Sequence, residues 1–131
     1  MNDSILDSVK EALGIIPEYT HFDSALVMHI NTVFSILNQL KVGPDEGFEI
    51  NDNSKTWSDF IQNEKKLNMV KTFMFQKVKL IFDPPQHSAL VEAINKQLNE
   101  IEFRLNLETD RGNNYAWKGN DNELSESGLL E

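Results

Sequence analysis

Residues 67–82, LNMVKTFMFQKVKLIF, constrain this chain more than any other stretch. At about 100° per residue on a helix, Leu67, Val70, Met74, Val78 and Ile81 form one apolar stripe. Met69, Phe73 and Leu80 form a second, Phe75 and Phe82 a third, and Lys71, Lys77 and Lys79 emerge between them. A helix apolar on most sides is usually surrounded. A chain of 131 residues has few elements with which to surround it, so part of that surface is either covered by other helices or kept for another subunit. The sequence leaves that division open. Asp83-Pro84-Pro85 then ends the helix, because the residue before a proline is pushed out of the helical region and proline lacks the amide a helix interior needs.

The chain is long enough for one domain with a core of its own. With no cysteine it has no disulfide, no thiolate metal site and no thiol nucleophile. Its first residues carry acids where a signal peptide carries bases, and no apolar run approaches the roughly 20 residues of a membrane span. The expectation is a soluble, unprocessed protein with no membrane association. The net charge of -9 is uneven: residues 1–64 hold eleven acids against three lysines, whereas residues 65–82 hold five lysines and no acid. Those lysines could seat an acidic segment or simply snorkel off a packed helix. A surface that grips nucleic acid is basic overall, because affinity comes from Lys and Arg displacing counterions. This chain is not such a surface.

Ahead of the central stretch, Ser4 with Asp7 three positions on starts a short helix through Ile5, Val9 and Leu13 that Gly14 can stop. Leu26, Ile30, Val33, Leu37 and Leu40 follow the helical period over about 24–41, until Gly43-Pro44. Residues 43–56, GPDEGFEINDNSKT, read as a loop with at most a short extended piece around Phe48, Glu49 and Ile50. Loops of that length tend to carry function. Thr56 and Asp59 can start a further helix at Trp57, separated from the central one by a bend or short break at the polar residues 63–66. After the prolines, Leu90, Ile94, Leu98, Ile101 and Leu105 make a narrow seam. The fold class is therefore all-α, a small four- to five-helix bundle with an extended or flexible C-terminal tail. Residues 1–106 are the expected helical domain. Residues 107–131, with six acids, two bases and three glycines, are the expected tail, mobile until bound to a partner. Tyr115, Trp117, Leu124, Leu129 and Leu130 are its candidate anchors, for a partner or for the chain's own domain.

Motifs of chemistry are missing. His21, His29 and His87 are far apart and have no metal-ligand spacing. Asp45, Glu46, Glu49 and Asp52 do not fit the register of a calcium loop. No phosphate-cradling glycine loop and no nucleophile elbow occurs. The expectation is no enzyme, no cofactor and no metal.

Several blocks nevertheless form a pattern: Thr20-His21-Phe22-Asp23, His29-Ile30-Asn31-Thr32-Val33-Phe34, Val42-Gly43-Pro44, Gly47-Phe48, Thr56-Trp57-Ser58-Asp59-Phe60, residues 77–85 (KVKLIFDPP) and Arg104-Leu105-Asn106. In colinear order over about 13–106 they resemble the head-tail connector, or adaptor, proteins of long-tailed bacteriophages. Lys41 stands where that pattern has a glycine, and Phe103 where it has a tryptophan. The resemblance implies a small helical virion protein that assembles as a ring, usually twelve-fold, below the portal. Such a ring extends the DNA channel and carries a stopper or head-completion protein. Its partners would be the portal, the stopper and copies of itself, with DNA passing through unbound. It would be made in the cytoplasm of the host bacterium. On this reading the tail anchors dock on the portal, Trp57, Phe73 and Phe75 are candidates for subunit contacts, and the loop carrying Asp45, Glu46, Glu49 and Asp52 faces the channel or the next ring. A cytosolic phage assembly chaperone or small helical adaptor, which never enters a particle, is the alternative. A small hydrolase with a scattered site is a third.

Overall fold

Ser4 opens the first helix with its hydroxyl accepting from the Asp7 amide at 3.3 Å, the N-cap arrangement its position in sequence predicts. The computed structural model describes the backbone of residues 3–117 and the side chains of residues 3–107. Over that range the chain is all-α, with helices α1 (Ile5–Ala12), α2 (Asp23–Gln39), α3 (Trp57–Phe60), α4 (Glu64–Phe82) and α5 (Ser88–Trp117), and no strand. Residues 57–82 form two helices, α3 and α4. Asn63 breaks them by capping α4, its side chain accepting from the amides of Lys65 and Lys66.

α4 is the hub, packing on α2, α5 and α1. Its buried arc is Val70, Phe73, Met74 and Val78, which draws on the first two sequence stripes. Ile81, placed on the core stripe by periodicity, is 48% exposed, and Leu90, placed on the α5 seam, is 50% exposed. Both flank the Asp83-Pro84-Pro85 turn, where the two helices reach the end of the bundle and the period outlasts the packing. The remaining seam, Ile94, Leu98, Ile101 and Leu105, is buried as its spacing predicts. The helix itself continues past that seam to Trp117, through residues with no apolar period.

The end of α2 explains two residues at once. Val42 donates to the Leu37 carbonyl and Lys41 to the Asn38 carbonyl, each at 2.9 Å, the paired bonds of a Schellman stop. The residue between helix and exit must then be left-handed, and Lys41 has φ 64°. That is the position at which the connector pattern has glycine. Replacing Lys41 with glycine is expected to stabilise the domain by about 1 kcal/mol by relieving this strain, read as a higher urea midpoint at unchanged slope. Two residues on, Gly43 has φ 92°, and a Cβ there would run into the Phe60 ring. The Val-Gly-Pro block is therefore fixed by backbone shape and by close packing.

The N-terminal strand-like residues close the other side. The Ile5 amide donates to the Lys55 carbonyl at 3.0 Å and the Trp57 amide to the Asp3 carbonyl at 3.3 Å. Trp57, fully buried, donates through Nε1 to Ser8 Oγ at 2.9 Å. A buried charge completes the core: Lys10 is 1% exposed, donates to the Pro17 carbonyl at 2.7 Å and lies 2.8 Å from Asp23 Oδ1. That carboxylate oxygen receives no well-angled hydrogen bond, so the charge of Lys10 is what holds it.

Candidate assembly surfaces

The side of α4 turned away from its buried arc is chemically mixed. Lys65, Asn68, Thr72, Phe75, Lys79 and Phe82 fall within one arc of about 100°, all exposed or half-buried. Phe75 rests edge-on against Trp57 at 6.2 Å between centroids, and Phe82 against Phe22 at 5.1 Å. Lys71 borders the arc with its ammonium 5.7 Å from the Trp57 ring centre, within reach of cation–π attraction. Among the described residues, the single carboxylate paired with any of these lysines is Asp83, 3.6 Å from Lys79 Nζ. Among the described residues the other α4 lysines form no ion pair.

The 43–56 loop is anchored on α2 by one side chain. Asn31 Oδ1 accepts from the Ile50 amide at 2.8 Å and Asn31 Nδ2 donates to the Ile50 carbonyl at 2.9 Å. This amide imitates a strand partner and satisfies both backbone groups of a fully buried residue. Phe48 adds edge contacts to Phe34 at 5.0 Å and Phe60 at 5.2 Å. Thus pinned, the loop presents Asp45, Glu46, Glu49 and Asp52 to solvent. It also walls a cleft of about 430 Å³ lined by Asn31, Ser35, Asn38, Gln39, Glu46 and Glu49 among others.

Two carboxylates of this region titrate low. Hydrogen bonds from the Ser54 side chain and amide hold Asp52 below its ordinary value. The Thr56 amide, at 2.9 Å, and then its hydroxyl, at 3.1 Å, do the same for Asp59. Because the folded value lies below the unfolded one, the charge of Asp59 stabilises the α3 start fully above the ordinary carboxylate value of about 3.9. That stabilisation is lost as pH falls through the lower folded value. The expected result is a carboxyl titration of Asp59 displaced to low pH, with amide exchange at Thr56 accelerating over the same interval. Asp59→Asn should remove the pH dependence, and an unshifted Asp59 in a carboxyl-detected NMR titration would contradict it.

At the turn end of the bundle, Tyr19, His21 and Phe22 form an aromatic group with centroid spacings of 4.8 to 6.0 Å, and Phe22 joins it to Phe82. Tyr19 is 49% and Ile16 65% exposed. A second cleft of about 500 Å³ lies between α1, α2 and the loop, lined by Asp7, Asp23, Asp52 and Asn53 with Pro17, Thr20 and others. Among the described residues no three His, Cys, Asp or Glu side chains gather as a metal site, and no helix is long and apolar enough to cross a membrane.

Of the residues expected at subunit contacts, Trp57 and Phe73 are fully enclosed within the single chain. They belong to the core, with no surface left for a neighbour. Phe75 alone is half-buried and faces outward. Tyr115 and Trp117 belong to the last turns of α5, while their side chains, and all of Leu124, Leu129 and Leu130, lie outside the described residues. Sequence reasoning missed Lys10 and the Asn31 clamp. A lysine in an amphipathic helix reads as solvated, and an asparagine on a helix gives no sign of a loop partner 19 residues away.

The comparison with known families follows the same residues. A family model described as phage connector protein matches residues 5–112. The chain belongs to the phage connector family. The match covers every described helix except the last five residues of α5, and with it the Val-Gly-Pro stop, the Thr-Trp block and the Asp-Pro-Pro turn. No curated protein and no solved structure matches the chain. Membership assigns the protein a structural, connector-type role at the phage head-tail junction, and makes it a component of the virion that meets other head or tail proteins.

Proposed function

We propose that this connector forms a ring below the portal, with the twelve-fold symmetry its resemblance implies, joining head to tail and lengthening the DNA channel. The family match over residues 5–112 carries the reading. Two physical features support it. An acidic chain of net charge -9 suits a conduit, since a wall that repels DNA lets it slide where a basic wall would hold it. The outward arc of α4, with Phe75, Phe82, Lys65 and Lys79, is a surface distinct from the acidic loop, and neighbours in a cyclic ring touch through two different patches. Residues 1–106 would be the ring-forming part and residues 107–131 the portal-binding arm, anchored by Tyr115, Trp117, Leu124, Leu129 and Leu130. The next component, a stopper or head-completion protein, would seat on the opposite side of the ring.

The test is the mass of the complex formed when the full chain is mixed with portal particles. An increment of a whole ring of copies is expected, together with the chain's presence in purified virions. Capture by the portal should fall sharply when residues 107–131 are deleted. A chain that leaves portal particles unchanged and is missing from virions would be an assembly chaperone or adaptor instead.

A further inference from the structure

We infer that the open arc of α4 is the socket for the acidic 43–56 loop of an adjacent copy of the same chain, so that this loop faces a neighbouring subunit and not the channel. The inference rests on the ring reading above and names the residues that would make the contact.

Charge complementarity within one sequence is the starting point. The arc and its border hold Lys65, Lys71 and Lys79 around Phe75 and Thr72, and residues 65–82 contain no acid at all. The loop holds Asp45, Glu46 and Glu49, which form no ion pair among the described residues. Asp52 and Asp59 have local hydrogen-bonding roles and are left out of the contact. The same chain thus carries a cationic, aromatic-centred face and an anionic, pinned loop, and does not bring them together within one copy. Arc on arc or loop on loop would set equal charges against each other. Arc on loop is a heterologous contact, and repeated with closure it generates a ring.

The details of each surface agree. Phe75 is held edge-on by Trp57 and Lys71 is drawn over the same indole, so the centre of the arc is fixed before any partner arrives. On the other side the Asn31 clamp fixes Ile50 beside Glu49. The cleft bounded by Glu46 and Glu49 has volume for an extended lysine side chain and offers the amides of Asn38 and Gln39 besides. Desolvated contact around one half-buried aromatic with charges at its margin is the usual anatomy of a specific interface.

A charge swap in the full-length protein tests this. Glu46→Lys with Glu49→Lys, and separately Lys65→Glu with Lys79→Glu, should each raise the concentration at which rings assemble on portal particles by about ten-fold or more. All sites are at the surface, and circular dichroism should show unchanged helix in both variants. Combining the two sets should restore assembly to within about three-fold of the parent. Carbodiimide coupling of rings built from isotopically labelled and unlabelled chains should join loop carboxylates to α4 lysines in peptides of mixed label. Rings that assemble at the parent concentration with either reversal, a combined variant with no recovery, or coupling of α4 lysines to Asp121, Glu123, Glu126 or Glu131 would each overturn the inference. Reversed loops that assemble normally but fail to retain DNA would return the loop to the channel. A parent protein that forms no ring overturns the ring reading and this inference together, whereas a parent ring indifferent to the reversals overturns this inference alone.

Discussion

Truncating Trp57 to alanine is expected to cost the domain about 3–5 kcal/mol, the range for removing a large aromatic from a well-packed core. The side chain is fully buried, lies 6.5 Å from the Phe34 ring and 6.2 Å from the Phe75 ring between centroids, and its indole N–H donates to Ser8. Its backbone also begins α3 and bonds to Asp3. One residue therefore ties α1, α2, α3 and α4 together. Trp57→Phe should keep much of the apolar contact and lose the hydrogen bond to Ser8, whose hydroxyl still donates to the Ile5 carbonyl, at a cost of about 1 kcal/mol for the lost bond. Chemical denaturation followed by circular dichroism reads both values. If Trp57→Ala left the urea midpoint unchanged while ring assembly failed, the residue would belong to an interface after all.

Lys10→Ala is the second large effect, expected at about 2–4 kcal/mol, because it leaves Asp23 Oδ1 in the interior without its counter-charge. The lower end of the range reflects the 30% exposure of the Asp23 side chain, which gives water some access to it. The loss is specific to the pair. Lys10→Met with Asp23→Leu removes both charges and fills the volume, and should recover most of the stability, since apolar replacements of buried ion pairs are often neutral or better. A Lys10→Met single variant as stable as the parent would show that the carboxylate is adequately solvated without its partner. Mechanically, the pair and the Pro17 carbonyl fasten the α1–α2 connection that carries Tyr19 and Phe22 to the bundle, so the same variant should loosen the aromatic group at the turn.

The elements that could be read from sequence are those where local chemistry and global packing coincide. Ser4 caps α1, Gly14 has φ 81° at its exit, Thr56 and Asp59 open α3, and the prolines end α4. The seam from Ile94 to Leu105 is buried because its narrow stripe lies against α4. Periodicity failed where it was extrapolated to the ends of helices, at Ile81 and Leu90, and it could not divide the three stripes of α4 among core, neighbouring helices and solvent. That division depends on tertiary geometry: the aromatic rings of α3 and the α1–α2 connection lean on Phe75 and Phe82 without covering them. The candidate surfaces were legible as charge, five lysines in one stretch and a cluster of acids in another. What was not legible was that the acids sit on a loop bolted to α2, since an amide 19 residues away leaves no periodic trace. The family itself was legible in its turn blocks, and Lys41 shows why. The one residue that departs from the glycine of the pattern is, among the described residues, the one non-glycine with left-handed backbone.

The bidentate hold of Asn31 on Ile50 divides a fourteen-residue excursion into two short arcs. A free segment of that length surrenders about 1–2 kcal/mol of backbone freedom per residue when it settles on a partner. Here most of that ordering happens when the monomer folds, so in the proposed ring subunits would meet as stiff bodies and encounter rates need not wait on segmental rearrangement. Cutting Asn31 back to alanine would leave both backbone groups of Ile50 unpaired, lowering the stability of the fold, and would shift the ordering of the loop from folding to assembly, so that the proposed ring would close slowly.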